Sequence, residues 1–157
     1  MKRVVLTGAT GFVGRQIHRA LAAAGHDVVA VIRPGSEDRL GRHRTTAKTI
    51  VSRDLFAESA NWWAENLADA DVVIHAAWYV EPGKYLDSPC NLDCLAGTLA
   101  LARGALAAGV GHFIGIGTCM EYRLPSTDLD ISAPLEPSTL YAASKLSVYQ
   151  TLGQYFA

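Results

Sequence analysis

Short β-branched runs alternate with helical segments along almost the whole of this 157-residue sequence, and this alternation restricts the fold more than any other feature. The predicted strands are 3–7, 26–32, 48–55, 71–77 and 112–118. The predicted helices are 12–24, 57–68, 91–108 and 139 to the end, and the predicted loops are 36–47, with a short helix, and 123–138. Strands that alternate with helices form a parallel sheet covered on both faces. We therefore expect an α/β fold with a doubly wound parallel sheet.

The length and apolar content fit one domain. Half of the residues are hydrophobic, which is enough to bury a core. A doubly wound Rossmann sheet usually has six strands, one more than the sequence supplies. We expect residues 1–157 to form one incomplete Rossmann domain, truncated after the fifth strand and the helix that follows it.

Charge and cysteine content exclude several classes of protein. The formal net charge of −1 provides no basic field for nucleic acid. The three cysteines lack Cys-x-x-Cys spacing, so neither a disulfide framework nor a zinc site is expected, and no His, Asp and Glu cluster has metal-ligand spacing. This cysteine usage fits a reducing cytoplasm.

No membrane segment is expected. The basic residues 2–3 before an apolar run are similar to the start of a signal peptide, but glycines interrupt that run and no small-residue cleavage site follows. No apolar stretch is long enough to cross a bilayer.

The segment "TGATGFVG", residues 7–14, lies between the first strand and the first helix. In a phosphate-binding turn Gly8 permits the sharp bend, Gly11 lets the backbone approach a pyrophosphate, and Gly14 lets the helix pack closely on the sheet. The helix N-terminus then presents free N–H groups to the phosphates. The alternative is a glycine-rich turn without a ligand. The position after a strand and before a helix favours a dinucleotide.

The end of the second strand bears on which dinucleotide binds. An acidic residue there would contact the ribose 2′-hydroxyl of NAD, whereas an arginine accommodates the 2′-phosphate of NADP. The sequence has Arg33 and no acidic residue at this point, which favours NADP over the alternative, NAD. Arg15 is a second candidate for a phosphate contact, and an ordinary exposed arginine is the alternative for Arg33.

The Gly-x-x-Gly-x-x-Gly spacing resembles that of the extended short-chain dehydrogenase/reductases, the NAD(P)-dependent epimerase/dehydratase family. Further family elements follow in order: Asp54-Leu55, His75-Ala76-Ala77, Gly97-Thr98, Thr118 and Tyr141-x-x-x-Lys145. The resemblance covers the whole chain and implies that residues 1–157 are an NAD(P)-binding domain without the C-terminal substrate domain. It assigns cofactor contacts to Gly8, Thr10, Gly11, Phe12, Val13, Gly14, Arg33, Asp54, Leu55, Ala76, Ala77, Tyr141 and Lys145.

The same resemblance implies a catalytic set of Thr118, Tyr141 and Lys145. Tyr141 and Lys145 are four residues apart, on one face of a predicted helix. A nearby ammonium and the positive nicotinamide favour the phenolate, so Tyr141 can exchange a proton with a substrate oxygen that Thr118 holds. Lys145 would also contact the nicotinamide ribose. The alternative is a surface tyrosine and a solvated lysine.

Two positions depart from the family pattern. Where the family usually has a helix asparagine, this sequence has Cys94, and Asn91 lies one turn earlier. The acidic residues that follow the catalytic threonine in sugar-nucleotide 4,6-dehydratases are also missing. Glu121 comes one residue late, and a strand-like segment would turn it to the opposite face. A 4,6-dehydratase is therefore not expected.

Four other features have ordinary structural explanations. A buried structural role is favoured for Cys119 over a catalytic thiol, and a hydrogen-bonded core role for His75 over a ligand. Trp62 and Trp63 are expected to cover the sheet. Trp78-Tyr79 follow the fourth strand, where a substrate contact is possible.

The resemblance implies an enzyme that transfers hydride at a sugar carbon, as a nucleotide-sugar epimerase or 4-ketoreductase. The alternatives are a non-sugar carbonyl reductase and a non-catalytic NADP(H)-binding module. The implied partners are a nucleotide sugar or another small carbonyl or hydroxyl compound, and a second copy of the chain in a homodimer.

Overall fold

The computed structural model describes residues 1–43, 48–126 and 128–157, and it divides into two compact units. The sheet unit comprises Met1–Ala77 and Ala100–Ile116. The helix–loop unit comprises Trp78–Leu99 and Gly117–Ala157. Part of the predicted loop 36–47 lies outside the described residues.

The sheet unit contains a five-stranded parallel sheet, as predicted. Its strands are β1 (Arg3–Thr7), β2 (Asp27–Ile32), β3 (Lys48–Val51), β4 (Val72–His75) and β5 (His112–Gly115). All the strands are parallel, in the spatial order β3-β2-β1-β4-β5. The chain adds β2 and β3 on one side of β1 and then crosses over to add β4 and β5 on the other side, so the strand order reverses between β1 and β4. Ligands of doubly wound sheets bind beyond the carboxyl ends of the strands at this reversal.

In the residues that the structure describes, four α-helices connect and follow the strands. They are α1 (Phe12–Ala23), α2 (Ala60–Asn66), α3 (Cys90–Ala107) and α4 (Leu140–Tyr155). Short 3-10 helices occupy Glu37–His43 and Cys119–Glu121. None of the helices in the described part of the chain is both long and apolar enough to span a bilayer.

The two edge strands end earlier than predicted. After Val51 the Ser52 N–H still donates to the Ile32 carbonyl at 3.0 Å, and the chain then turns as the Asp54 carboxylate accepts the Phe56 N–H at 3.0 Å. The predicted strand 48–55 therefore ends at Val51.

Apolar side chains fill both faces of the sheet. On one face the strands contribute Val5, Val29, Val31 and Val73, which pack with Trp63 and Leu67 of the α2 segment and Leu101 and Ala105 of α3. On the other face Val4, Leu6, Val28, Ala30, Ile32 and Ile74 pack with Ile17 and Leu21 of α1. Trp63 is fully buried and Trp62 packs against it, so both tryptophans cover the sheet as predicted.

Helical periodicity predicts one buried stripe on α1 made of Phe12, Val13, Ile17, Leu21 and Ala24, and the buried face of the helix differs from it. Gly14 and His18 are buried, whereas Phe12 is 79% and Val13 48% exposed. The close approach of the helix to the turn occurs at Gly14, so the first two helical residues precede the packed part of α1. Their exposure leaves the helix N-terminus open.

Candidate active site

The turn from β1 into α1 needs glycine at two of its positions. Gly8 has a φ of +71°, and a Cβ there would lie 2.7 Å from the Ala76 carbonyl carbon and from the Ala77 nitrogen. A Cβ on Gly14 would lie 2.0 Å from the Gly8 carbonyl oxygen. The structure thus brings together Gly8, Gly14, Ala76 and Ala77.

The beginning of α1 suits an anion. Gly11 is the N-cap and has no side chain to accept the first N–H groups of the helix, while its own N–H donates to the Gly8 carbonyl at 2.9 Å. Gly11, Phe12 and Val13 are exposed, and Thr10 is half-buried. Unsatisfied N–H groups and the positive end of a helix fit the pyrophosphate of a dinucleotide.

A buried hydrogen-bond network connects the ends of β1 and β4. Thr7 Oγ1 lies 2.8 Å from His75 Nδ1 and accepts the Ala77 N–H at 3.3 Å, and Thr7 is fully buried. His75 is therefore a hydrogen-bonded core residue, as predicted. The network holds the backbone on which Gly8 packs.

The other predicted cofactor residues of the sheet unit lie beyond β2 and β3. Arg33 follows β2 directly and its side chain is exposed. Asp54 is exposed, and its carboxylate is used in the local turn to Phe56, whereas the Leu55 side chain packs against the core. No contact in the described residues connects Arg33 or Asp54 to the glycine turn.

Thr118 begins a tight, capped turn in the helix–loop unit. Thr118 Oγ1 accepts the Met120 N–H at 3.3 Å, and the Glu121 carboxylate accepts the Thr118 N–H at 2.8 Å. These two bonds form a capping box around the 3-10 helix Cys119–Glu121. The same carboxylate lies so close to Gly117 that a Cβ there would be 3.2 Å from Glu121 Oε1.

The expectation for Glu121 is corrected by this turn. The segment is helical rather than strand-like, so Glu121 is turned inward and only 7% exposed. Its negative charge acts on both Tyr141 and Lys145. The prediction of a buried Cys119 is also wrong, because the turn leaves that side chain exposed.

Tyr141 lies in the first turn of α4 among aromatic rings. Its N–H donates to the Leu86 carbonyl at 2.8 Å. The Tyr85 ring meets the Tyr141 ring edge-on at a centroid distance of 4.9 Å, and the Trp78 ring does so at 6.3 Å. Tyr141 and Thr118 share a side-chain hydrogen bond. The phenol is thus held by contacts from both parts of the helix–loop unit.

Burial raises the pKa of the Tyr141 phenol above its usual 10.0. The Thr118 hydrogen bond opposes this shift, and the charges of Tyr85, Glu121 and Cys119 add to it. The sequence predicts that a nearby ammonium lowers this pKa, but the Lys145 ammonium is not among these causes. In the ligand-free protein Tyr141 is therefore protonated at neutral pH and can donate a proton.

Lys145 lies one helical turn after Tyr141 and is only 8% exposed, so it is not a solvated charge. Burial lowers the pKa of its ammonium, and Glu121 and Cys94 oppose that shift. Its Nζ lies 4.4 Å from the centroid of the Trp78 ring.

The two polar positions of α3 have separate structural roles. Cys94 is buried and its Sγ accepts the Tyr79 N–H at 3.4 Å. Asn91 is fully buried, and its Oδ1 accepts the Trp78 indole N–H at 2.8 Å. Asn91 therefore does not replace an asparagine at position 94 directly but holds Trp78.

Glu121 is the polar residue that sequence reasoning missed. The signal was present, because Thr118-x-x-Glu121 matches the capping-box pattern that places a glutamate against the N-cap N–H. Tyr85 was also missed, and its approach to Tyr141 depends on the loop between Trp78 and α3, for which the sequence carries no periodic signal. Among the described residues, no group of three or more His, Cys, Asp or Glu side chains could hold a metal ion.

The doubly wound parallel sheet, with a glycine turn between β1 and α1, defines a Rossmann-type fold. The family model for the NAD dependent epimerase/dehydratase family matches residues 4–157. The chain belongs to this family, which confirms the resemblance seen in its sequence. Membership supports an NAD-type dinucleotide as cofactor without distinguishing NAD from NADP.

Relatives of the chain include a UDP-glucose 4-epimerase from Rhizobium meliloti, which is 28% identical over 97% of this chain and 46% of its own length. A divinyl chlorophyllide a 8-vinyl-reductase from Oryza sativa is 42% identical over 71% of this chain and 28% of its own length. A solved UDP-glucose-4-epimerase from Stenotrophomonas maltophila, with bound NAD and formylated UDP-arabinopyranose, is 23% identical. That structure superposes with a TM-score of 0.81 over 99% of this chain and 48% of its own, and so shows the fold. The chain spans about half the length of such relatives, or less.

Proposed function

We propose that this chain carries the dinucleotide site and the proton-exchange residues of an enzyme that interconverts a hydroxyl and a carbonyl group on a nucleotide sugar. The reaction would be an epimerisation or a 4-ketoreduction. The observation that carries the proposal is the position of the half-buried Tyr141 phenol, which is hydrogen-bonded to Thr118 and lies one helical turn before Lys145. A bound nicotinamide dinucleotide supplies the hydride chemistry of such reactions.

The residues of the sheet unit bind the dinucleotide in this proposal. The N–H groups at the start of α1 hold the pyrophosphate, and the bare backbone of Gly8, Gly11 and Gly14 lets it approach. Thr10, Phe12 and Val13 are part of the same turn. Ala76 and Ala77 after β4, and Asp54 and Leu55 after β3, supply the remaining contacts to the cofactor in this proposal. Arg33 contacts the 2′-phosphate, so the preferred cofactor is NADP.

The residues of the helix–loop unit move the proton. Tyr141 donates its proton to the substrate oxygen as a carbonyl is reduced and takes it back in the reverse direction. Thr118 hydrogen-bonds the same substrate oxygen and keeps it within reach of the phenol. The Lys145 ammonium binds the ribose and stabilises the phenolate that proton donation leaves behind.

A titration with NADPH and NADH tests the cofactor assignment. Nicotinamide fluorescence reports binding without any substrate. We expect NADPH to bind more tightly than NADH, and Arg33→Ala to remove this preference. The exposed Arg19 of α1 offers a matched control, since Arg19→Ala removes the same charge elsewhere on the sheet unit. Equal affinity of the wild type for NADPH and NADH would refute the role of Arg33, but it would not affect the fold or the proposal for Tyr141.

Replacement of the phenol tests the reaction. Tyr141→Phe keeps the ring contacts with Tyr85 and Trp78 but removes the proton, so turnover of UDP-, GDP- or dTDP-hexoses should fall at least about 100-fold with cofactor affinity nearly unchanged. Tyr149→Phe is the matched control, since Tyr149 is on the same helix and 64% exposed. Turnover that survives Tyr141→Phe would disprove the mechanism.

A non-sugar substrate is the second candidate, favoured by the similarity to the divinyl chlorophyllide reductase. Turnover of small ketones in place of nucleotide hexoses would support it. A non-catalytic binding module would show cofactor binding with neither class of substrate turned over. The homodimer and the cytoplasmic location stay predictions.

A further inference from the structure

The Lys145 ammonium is bound to the face of an aromatic ring. Its Nζ lies 4.4 Å from the Trp78 ring centroid, and the residue is 8% exposed. A cation over an indole face is stabilised by the ring quadrupole, and the stabilisation is larger when the cation is removed from water. The Trp78 ring therefore favours the charged form of a lysine whose burial disfavours it.

The Trp78 ring is itself held in place. Its indole N–H donates to Asn91 Oδ1 at 2.8 Å. The Asn91 amide nitrogen donates to the Tyr85 carbonyl at 2.6 Å and to the Ser88 carbonyl at 2.9 Å. Two acceptors on the nitrogen fix which way the amide points, so its oxygen faces the indole. Asn91 is fully buried, which keeps this arrangement dry.

The side chain at position 94 is a cysteine whose charge also acts on Lys145. Cys94 Sγ accepts the Tyr79 N–H, and a thiol is a weak hydrogen-bonding group. The charge of Glu121 also acts on Lys145, and Tyr141 lies one helical turn before it. The Trp78 ring contributes a contact of defined geometry, with Nζ 4.4 Å from the ring centroid.

We propose that Asn91 and Trp78 form a positioning pair that holds the Lys145 ammonium in place. Asn91 fixes the indole, and the indole face fixes the ammonium. The consequence for cofactor binding rests on the proposed function, in which Lys145 contacts the ribose. The positioning itself is a property of the ligand-free chain.

The protonation of Lys145 tests the pair directly. Competitive acetylation over a range of pH, read by mass spectrometry, gives the protonation midpoint of each lysine, and the exposed Lys48 provides an internal reference. Trp78→Leu keeps the site apolar but removes the ring. At a fixed pH below the Lys145 midpoint, the fraction of Lys145 that is deprotonated should then be about three- to tenfold higher than in the wild type. Trp78→Phe keeps a weaker aromatic face and should give a smaller increase, and it serves if the leucine variant does not fold. Trp62→Phe in the sheet unit is the matched control and should change nothing at Lys145.

A double-variant cycle separates the roles of the two residues. Asn91→Leu should shift the Lys145 profile in the same direction as Trp78→Leu but by less. Because Asn91 acts through the ring, the double variant should shift it no further than Trp78→Leu alone. If the shifts of the two single variants add in the double variant, the proposal that Asn91 acts through the Trp78 ring is overturned.

Two results would overturn the pair itself. An unchanged Lys145 profile in folded Trp78→Leu would show that the ring does not hold the ammonium. A rise of the Lys145 midpoint in that variant would show that Trp78 only covers Lys145 from water. The labelling uses neither substrate nor dinucleotide, so its failure is distinguishable from a failure of the Tyr141→Phe turnover experiment.

Discussion

The two units of the chain are stabilised in different ways. In the sheet unit, β-branched and leucine side chains of parallel strands pack with α1, α2 and α3 on the two faces of one sheet. In the helix–loop unit, ring contacts with Tyr85 and Trp78 hold the phenol and the lysine, while the threonine and the carboxylate hold each other within one turn. The comparison shows that a repeated apolar pattern forms the framework, while single polar contacts form the reactive site.

The units also use glycine differently. In the sheet unit a backbone carbonyl occupies the space that a Gly14 Cβ would need. In the helix–loop unit Gly153 lies in α4 with no atom within 4 Å of the position of its Cβ. Both are helical glycines, so a pair of identical substitutions separates tertiary packing from helix propensity.

The largest effect on stability is expected for Gly14→Ala. The added Cβ would lie 2.0 Å from the Gly8 carbonyl oxygen, so α1 or the turn must shift. The free energy of unfolding should fall by about 3 kcal/mol or more, measured by urea denaturation. Gly153→Ala should raise it by up to about 1 kcal/mol, since alanine is the better helix former. Equal free energies of unfolding for the two variants would contradict the proposed difference in packing around the two glycines.

A smaller loss is expected for Thr7→Val. Valine keeps the shape but deprives His75 and the Ala77 N–H of a buried partner, which costs about 1–3 kcal/mol. Thr49→Val on the exposed face of β3 should change the free energy of unfolding by less than about 0.5 kcal/mol. A neutral Thr7→Val would show that apolar packing alone holds the ends of β1 and β4 together.

The smallest effects concern the ionisation of Tyr141, and they should have opposite signs. The Thr118 hydrogen bond lowers the pKa of the phenol, so Thr118→Val should raise that pKa further. The Glu121 charge raises it, so Glu121→Gln should lower it. A spectrophotometric titration of the phenolate, taken as the difference from the same variant with Tyr141→Phe, measures each shift. Shifts of the same sign would show that the charge of Glu121 does not reach Tyr141.

The same raised pKa gives the stability a defined pH dependence. The folded-state pKa of Tyr141 lies above the unfolded value of 10.0, so its contribution to stability is present below pH 10 and is lost as pH rises through the folded pKa. The free energy of unfolding of the wild type should therefore fall more steeply above pH 10 than that of Tyr141→Phe. Equal slopes would show that burial does not perturb the phenol.

Strand and helix order, the parallel sheet and the family could be predicted because each depends on local pattern or on residue spacing. The ends of β3 and β5 could not, since side-chain turns at Asp54 and Thr118 end these strands early. Phe12 and Val13 were wrongly expected on the buried stripe of α1, because periodicity does not show where a helix first meets the sheet.

The sequence by itself determined the doubly wound framework, the glycine turn and the positions of Thr118, Tyr141 and Lys145 in the chain. Apolar periodicity and glycine spacing are local properties, and a one-dimensional pattern is sufficient to express them. The tertiary structure alone decided that Tyr85 meets the Tyr141 ring and that Trp78, held by Asn91, lies under the Lys145 ammonium. These arrangements depend on contacts across many residues of sequence, where the desolvation of each polar group is offset only by the partner that folding brings to it.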